Sequence, residues 1–198
     1  LAFMVAVAIL GAPRLAAFHP HARLGPANAI TTARAGVGAL AAAVLALPGG
    51  LADAPALAWA LTGAVVAALA LDGVDGWLAR RTGLASRFGA RLDMEVDAAL
   101  GALLALLALL SGKAGPWVLA LGFLRYGFVA AGVFMPWLTA PLLESGRRKA
   151  VCVVQIAVLA ALLAPVIQPP ASTWLALAGT LLLAWSFAVD IRWLWRAR

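Results

Sequence analysis

The sequence predicts an all-α integral membrane protein, a bundle of six transmembrane helices with room for an extra N-terminal hydrophobic or interfacial helix. Three observations carry that prediction. The 198 residues are 65% hydrophobic and only 12% charged, with a mean hydropathy of +0.99, and a soluble domain of this size has too little interior to bury so much apolar surface. The apolar residues fall into runs of span length separated by short loops rich in Pro and Gly. The basic residues collect in alternate loops, the pattern of a chain that crosses a bilayer repeatedly.

The opening stretch LAFMVAVAILGA covers about twelve residues before Pro13, short of the roughly 20 that cross a bilayer. It starts at Leu1 rather than Met and reads as a truncated extra span, an interfacial helix or the tail of a removed segment. His19 and His21 in the following loop, split by Pro20, read as solvated loop residues. Residues 1–27 therefore form an N-terminal segment and 28–198 the membrane domain. Six spans are predicted: Ala29 to Leu47 with Asn28 as N-cap, Pro55 to Arg81, Ser86 to Leu110, Pro116 to Trp137, Arg148 to Ile167, and Ser172 to Trp195. Trp193 and Trp195 are placed to anchor the last span at the interface.

Arg14 and Arg23 precede the first span; Arg80, Arg81, Arg87 and Arg91 surround the second turn; Arg147, Arg148 and Lys149 precede the fifth span; Arg192, Arg196 and Arg198 end the chain. The other three loops hold only Lys113. Both termini of the six-helix domain are thus expected on the cytoplasmic side. A net charge of +7 confined to short loops between spans argues against nucleic acid as a partner. The single cysteine, Cys152, excludes an internal disulfide, and its apolar neighbourhood suggests packing.

The stretch from Asp72 to Asp97, DGVDGWLARRTGLASRFGARLDMEVD, breaks this apolar pattern. At about 100° per residue, Asp72, Asp75, Gly76 and Ala79 share one helix face with Arg80 at its edge. Gly89, Asp93 and Asp97 stack along one stripe of the next helix while Glu95 points away, towards an ion pair with Arg91. If the two helices pack antiparallel, the four carboxylates converge. A carboxylate at the centre of a membrane helix costs about 2.5–3.5 kcal/mol, so a compensating cation is expected, and oxygen ligands select Mg²⁺ or Mn²⁺, one ion or two. Gly76, Ala79 and Gly89 clear side chains from the acidic face, and the planar donors of Arg80 suit phosphate oxygens.

Asp72, Asp75, Gly76, Ala79, Arg80, Gly89, Asp93 and Asp97 fill the pattern D-x-x-D-G-x-x-A-R-(x)8-G-x-x-x-D-x-x-x-D, which resembles the signature of the CDP-alcohol phosphotransferases, also called CDP-alcohol phosphatidyltransferases. Asn28, Ile30, Thr31 and Arg34 resemble the shorter first-helix pattern of the same family, N-x-[IL]-T-x-x-R. The resemblance implies a phospholipid-synthesis enzyme that moves the phosphatidyl group of a CDP-linked lipid, usually CDP-diacylglycerol, to an alcohol with release of CMP. It implies Asp72, Asp75 and Asp93 as metal ligands, Asp97 as general base and further ligand, Gly76, Arg80 and Gly89 bordering the CMP moiety, and a homodimer. Asn28, Thr31 and Arg34 would sit beside the nucleotide; the alternative is a helix cap with a positive-inside anchor. The expected location is the bacterial cytoplasmic membrane.

Arg125 inside the fourth span, with Arg147, Arg148 and Lys149, could bind the phosphate of an acceptor such as glycerol 3-phosphate or an inositol phosphate; the alternative is ordinary topology and headgroup attraction. The segment GRRKAVCVVQ departs from the G-K-x-K-T-x-x-Q pattern of phosphatidylglycerophosphate synthases, with Ala150 where that pattern has Thr and Gln155 two places late. Asp190, near Arg192, reads as a structural interfacial acid. Two competing functions are a divalent-cation transporter, since intramembrane acids often line ion paths, and a catalytically idle lipid-binding relative.

Overall fold

A computed structural model describes residues 26–48, 50, 51, 53–82, 87–142 and 145–198, without the side chains of 26–29, 72–82 and 87–90. The secondary-structure elements among the described residues are all helices: α1 (Pro26–Leu45), α2 (Pro55–Thr82), α3 (Arg87–Leu110), α4 (Leu119–Phe134), α5 (Gly146–Leu163) and α6 (Ala171–Ala197), with 3₁₀ turns at Pro116–Val118 and Pro136–Thr139. The stretch 1–25, with His19, His21 and the short apolar run, lies outside the described residues.

Helical periodicity explains how each element meets the core. On α1 the buried positions are Thr31, Arg34, Ala35, Gly38, Ala41 and Val44, and on α6 they are Ser172, Ala176, Gly179, Leu183, Ser186, Asp190 and Leu194. Steps of three and four keep each set on one stripe. Helix α1 lies against both α2 and α3, while α3 also packs on α4 and α5, and α5 packs on α2 and α6. Helix α3 therefore runs through the middle, and its Val96, Leu100, Leu104, Ala105, Leu107 and Ala108 are almost fully buried.

Small residues permit the close approaches. A Cβ placed on Gly122 of α4 would stand 2.6 Å from the Ala102 Cα and 2.7 Å from the Gly101 carbonyl oxygen of α3. Gln155 of α5 reaches the same crossing and donates its side-chain amide to the Leu121 carbonyl.

The loop after α3 is built just as locally. Gly112 adopts φ +66°; its N–H bonds to the Leu109 carbonyl at 3.0 Å and the Lys113 N–H to that of Ala108 at 3.0 Å. This is the Schellman closure, in which a glycine without Cβ takes the left-handed position. It turns Lys113 inward. The Lys113 Nζ donates to the carbonyls of Ala164 (3.2 Å) and Ile167 (2.7 Å) beyond the end of α5, and the Lys113 carbonyl accepts from Ser172 Oγ (2.6 Å) at the start of α6.

Several predicted boundaries shift, each for a proline or cap. Helix α1 starts at Pro26, whose fixed φ and missing N–H suit a first turn, so Asn28 lies inside that turn rather than capping it. Pro136 breaks the fourth span after Phe134, and α5 ends at Leu163 because Pro165 follows. Cys152, expected to pack, is exposed.

The segments Pro116–Phe134 and Ala171–Arg196 are long and apolar enough to cross a membrane. Large apolar side chains also face outward, among them Trp59, Val66, Val133, Phe134, Trp174 and Trp185.

Candidate active site

The helical backbone of α2 continues to Thr82, so Asp72, Asp75, Gly76, Ala79 and Arg80 all lie on its last three turns, and Gly89 lies in the first turn of α3. Their side chains, with that of Asn28, are outside the described residues, and the convergence of four carboxylates stays an expectation. Asp93 and Asp97 are described. They stand one turn apart on α3, with side chains 34% and 33% exposed.

Their described partner comes from α1. Arg34 is 3% exposed; its Nη1 donates to Asp93 Oδ1 at 2.5 Å, and its Nη2 donates to Asp97 Oδ1. The stripe that buries Ala35, Ala41 and Val44 also turns Thr31 and Arg34 inward, and a guanidinium inside a helix bundle must meet anions there. Thr31 is equally buried.

A second polar cluster joins α5 and α6. Arg147 donates through Nη1 to the Ser186 carbonyl (2.7 Å) and Ser186 Oγ, and through Nη2 to Asp190 Oδ1. Arg148 Nη1 approaches the same Oδ1 at 3.5 Å. Asp190, 8% exposed, is therefore held by two cations from another helix. The cluster opens onto a cavity of about 230 Å³ lined by Leu142, Ser145, Arg147, Arg148, Asp190 and Trp193 among others. Lys149 is exposed.

Arg125 is placed elsewhere. Its Nη2 donates to Glu95 Oε1 at 2.6 Å across the α3–α4 contact, so Glu95 pairs with Arg125 and not with the expected Arg91. The i,i+4 rule sees only neighbours along one helix, whereas the closer guanidinium lies on the next one.

A family model described as CDP-alcohol phosphatidyltransferase matches residues 25–189. The chain belongs to the CDP-alcohol phosphatidyltransferase family. No curated protein and no solved structure matches it. Membership in this family makes the protein a transferase of substituted phosphate groups that transfers a phosphatidyl group from a CDP-alcohol and associates with the membrane. It sets aside the transporter reading.

For a CDP-alcohol phosphatidyltransferase, Asp93 and Asp97 have fitting donor chemistry: hard carboxylate oxygens one turn apart, partly open to solvent, of the kind that hold Mg²⁺ or Mn²⁺. Among the described residues no third His, Cys, Asp or Glu joins them. Sequence reasoning missed two arrangements in this phosphatidyltransferase, the Arg34 bridge and the Arg147–Asp190–Ser186 cluster. Each had a signal, since an ionisable residue at a core-facing position of an apolar helix requires a counter-charge.

Proposed function

We propose that this phosphatidyltransferase uses CDP-diacylglycerol as donor and transfers its phosphatidyl group to a phosphorylated alcohol such as glycerol 3-phosphate or an inositol phosphate, releasing CMP. The observation that carries the reading is the Asp93–Asp97 pair, presented in register on the most buried helix and completing a motif whose first half lies on the unbroken end of α2. Asp72, Asp75, Asp93 and Asp97 hold Mg²⁺ or Mn²⁺, one ion or two. Held there, such an ion would supply charge neutralisation for the pyrophosphate.

The chain's own residues do the rest. Gly76, Ala79 and Gly89 leave a slot for the CMP half, and Arg80 grips its phosphate oxygens. Asn28 and Thr31 sit beside the nucleotide. Asp97 accepts the proton of the acceptor hydroxyl as its oxygen bonds to the phosphatidyl phosphorus and the bond to the CMP oxygen breaks. The cavity at Arg147 and Arg148 suits the acceptor's phosphate, and Lys149, next in the chain, is exposed. Arg125, tied to Glu95, is the weaker candidate for this task.

The outward apolar side chains and alternating basic loops support six spans with both domain termini on the cytoplasmic side; a homodimer in a bacterial membrane follows from the family resemblance alone. Purified protein incubated with CDP-diacylglycerol, Mn²⁺ or Mg²⁺ and a panel of alcohols should release CMP with one acceptor class. Folded protein that releases none with any acceptor rules the reading out.

A further inference from the structure

We infer that Arg34 is a positioning residue that clamps Asp93 and Asp97 from the buried side, so that the pair meets its cation already spaced. This rests on the proposed reading of those acids as metal ligands. Two carboxylates at i and i+4 on one helix repel and swing apart unless something holds them. Arg34 supplies a planar fork whose two terminal nitrogens sit at a fixed separation, one on each Oδ1. The guanidinium is 3% exposed, while the acids are 34% and 33% exposed. The clamp is thus on the protein side of the acids, whose side chains keep a third of their surface exposed.

The geometry separates this role from two others. A phosphate ligand would have to leave both carboxylates and move out of the core. A mere counter-ion would compete with the metal, and its removal would tighten metal binding. A clamp behaves in the opposite way: its loss weakens metal binding even though a positive charge beside the site has gone.

The test is Mn²⁺ affinity, read from the electron paramagnetic resonance signal of the unbound ion, on the full chain in detergent, with metal-free thermal stability measured alongside. Arg34→Gln should bind Mn²⁺ at least about tenfold more weakly, in the range known for residues that orient metal ligands. Arg34→Lys, which keeps the charge and guards against a variant that fails to fold, should not restore affinity, because one ammonium cannot span both acids with fixed geometry. Unchanged or tighter binding in folded Arg34→Gln or Arg34→Lys overturns the inference. Unaltered protein that binds Mn²⁺ yet releases no CMP counts against the proposed function and leaves the clamp standing; unaltered protein that binds no Mn²⁺ overturns both.

Discussion

At the scale of the residue, two carboxylates of equal exposure on one stripe of α3 carry different proposed tasks, and the difference is testable by one atom. Asp97→Asn keeps the shape and an oxygen that can accept from Arg34 but has no basic carboxylate. CMP release in that variant should fall by about 10²–10⁴-fold, with Mn²⁺-dependent binding of CDP-diacylglycerol retained; full activity removes Asp97 from proton transfer. The two arginines at the start of α5 should also separate. Arg147 meets Asp190 and both oxygens of Ser186, whereas Arg148 stands 3.5 Å from the same Asp190 oxygen. Arg147→Gln leaves a buried carboxylate poorly matched and should lower stability by about 2 kcal/mol or more. Arg148→Gln should raise the acceptor KM by about tenfold, the loss of one charge-assisted hydrogen bond. An unchanged KM would move the acceptor away from this cavity.

At the scale of the element, the α3–α4 crossing and the Lys113 loop do the positioning. Gly122→Ala forces a Cβ into the Ala102 backbone and should destabilise by about 1–3 kcal/mol, measured by thermal unfolding in detergent. Gly127→Ala on the same helix, with nothing within 4 Å, should be neutral or stabilising by up to about 1 kcal/mol. Lys113→Met withdraws a donor from two carbonyls past the end of α5, a loss of about 1–3 kcal/mol. Burial holds the Lys113 ammonium below its usual pKa of 10.5. In the interval between the lowered value and 10.5 the unfolded chain binds the proton and the folded chain does not, so the contribution of Lys113 to stability rises with pH across that interval. Comparing unfolding temperatures of the original protein and Lys113→Met from neutral to alkaline pH checks the sign.

At the scale of the whole molecule, the outward apolar surface and the distribution of Lys and Arg predict an orientation. In a chain with Cys152 replaced by Ala, an impermeant thiol reagent applied to intact cells should label Ser111→Cys and spare Arg196→Cys; the reverse result inverts the proposed topology. The sequence by itself determined the helical class, the motif on either side of the second turn and the family, because hydrophobic runs, residue spacing and charge by loop are properties of the chain in one dimension. That Arg34, Asp190 and Lys113 are buried, and so need partners, is seen only once the helices are packed. Only the tertiary structure decided which partners: Arg34 with two acids 59 and 63 positions away, Arg147 with Asp190, Glu95 with Arg125 instead of Arg91, and Lys113 with the carbonyls past α5. Such pairings depend on which helix faces which and at what height, and helical periodicity fixes the face of each span without naming the neighbour it meets.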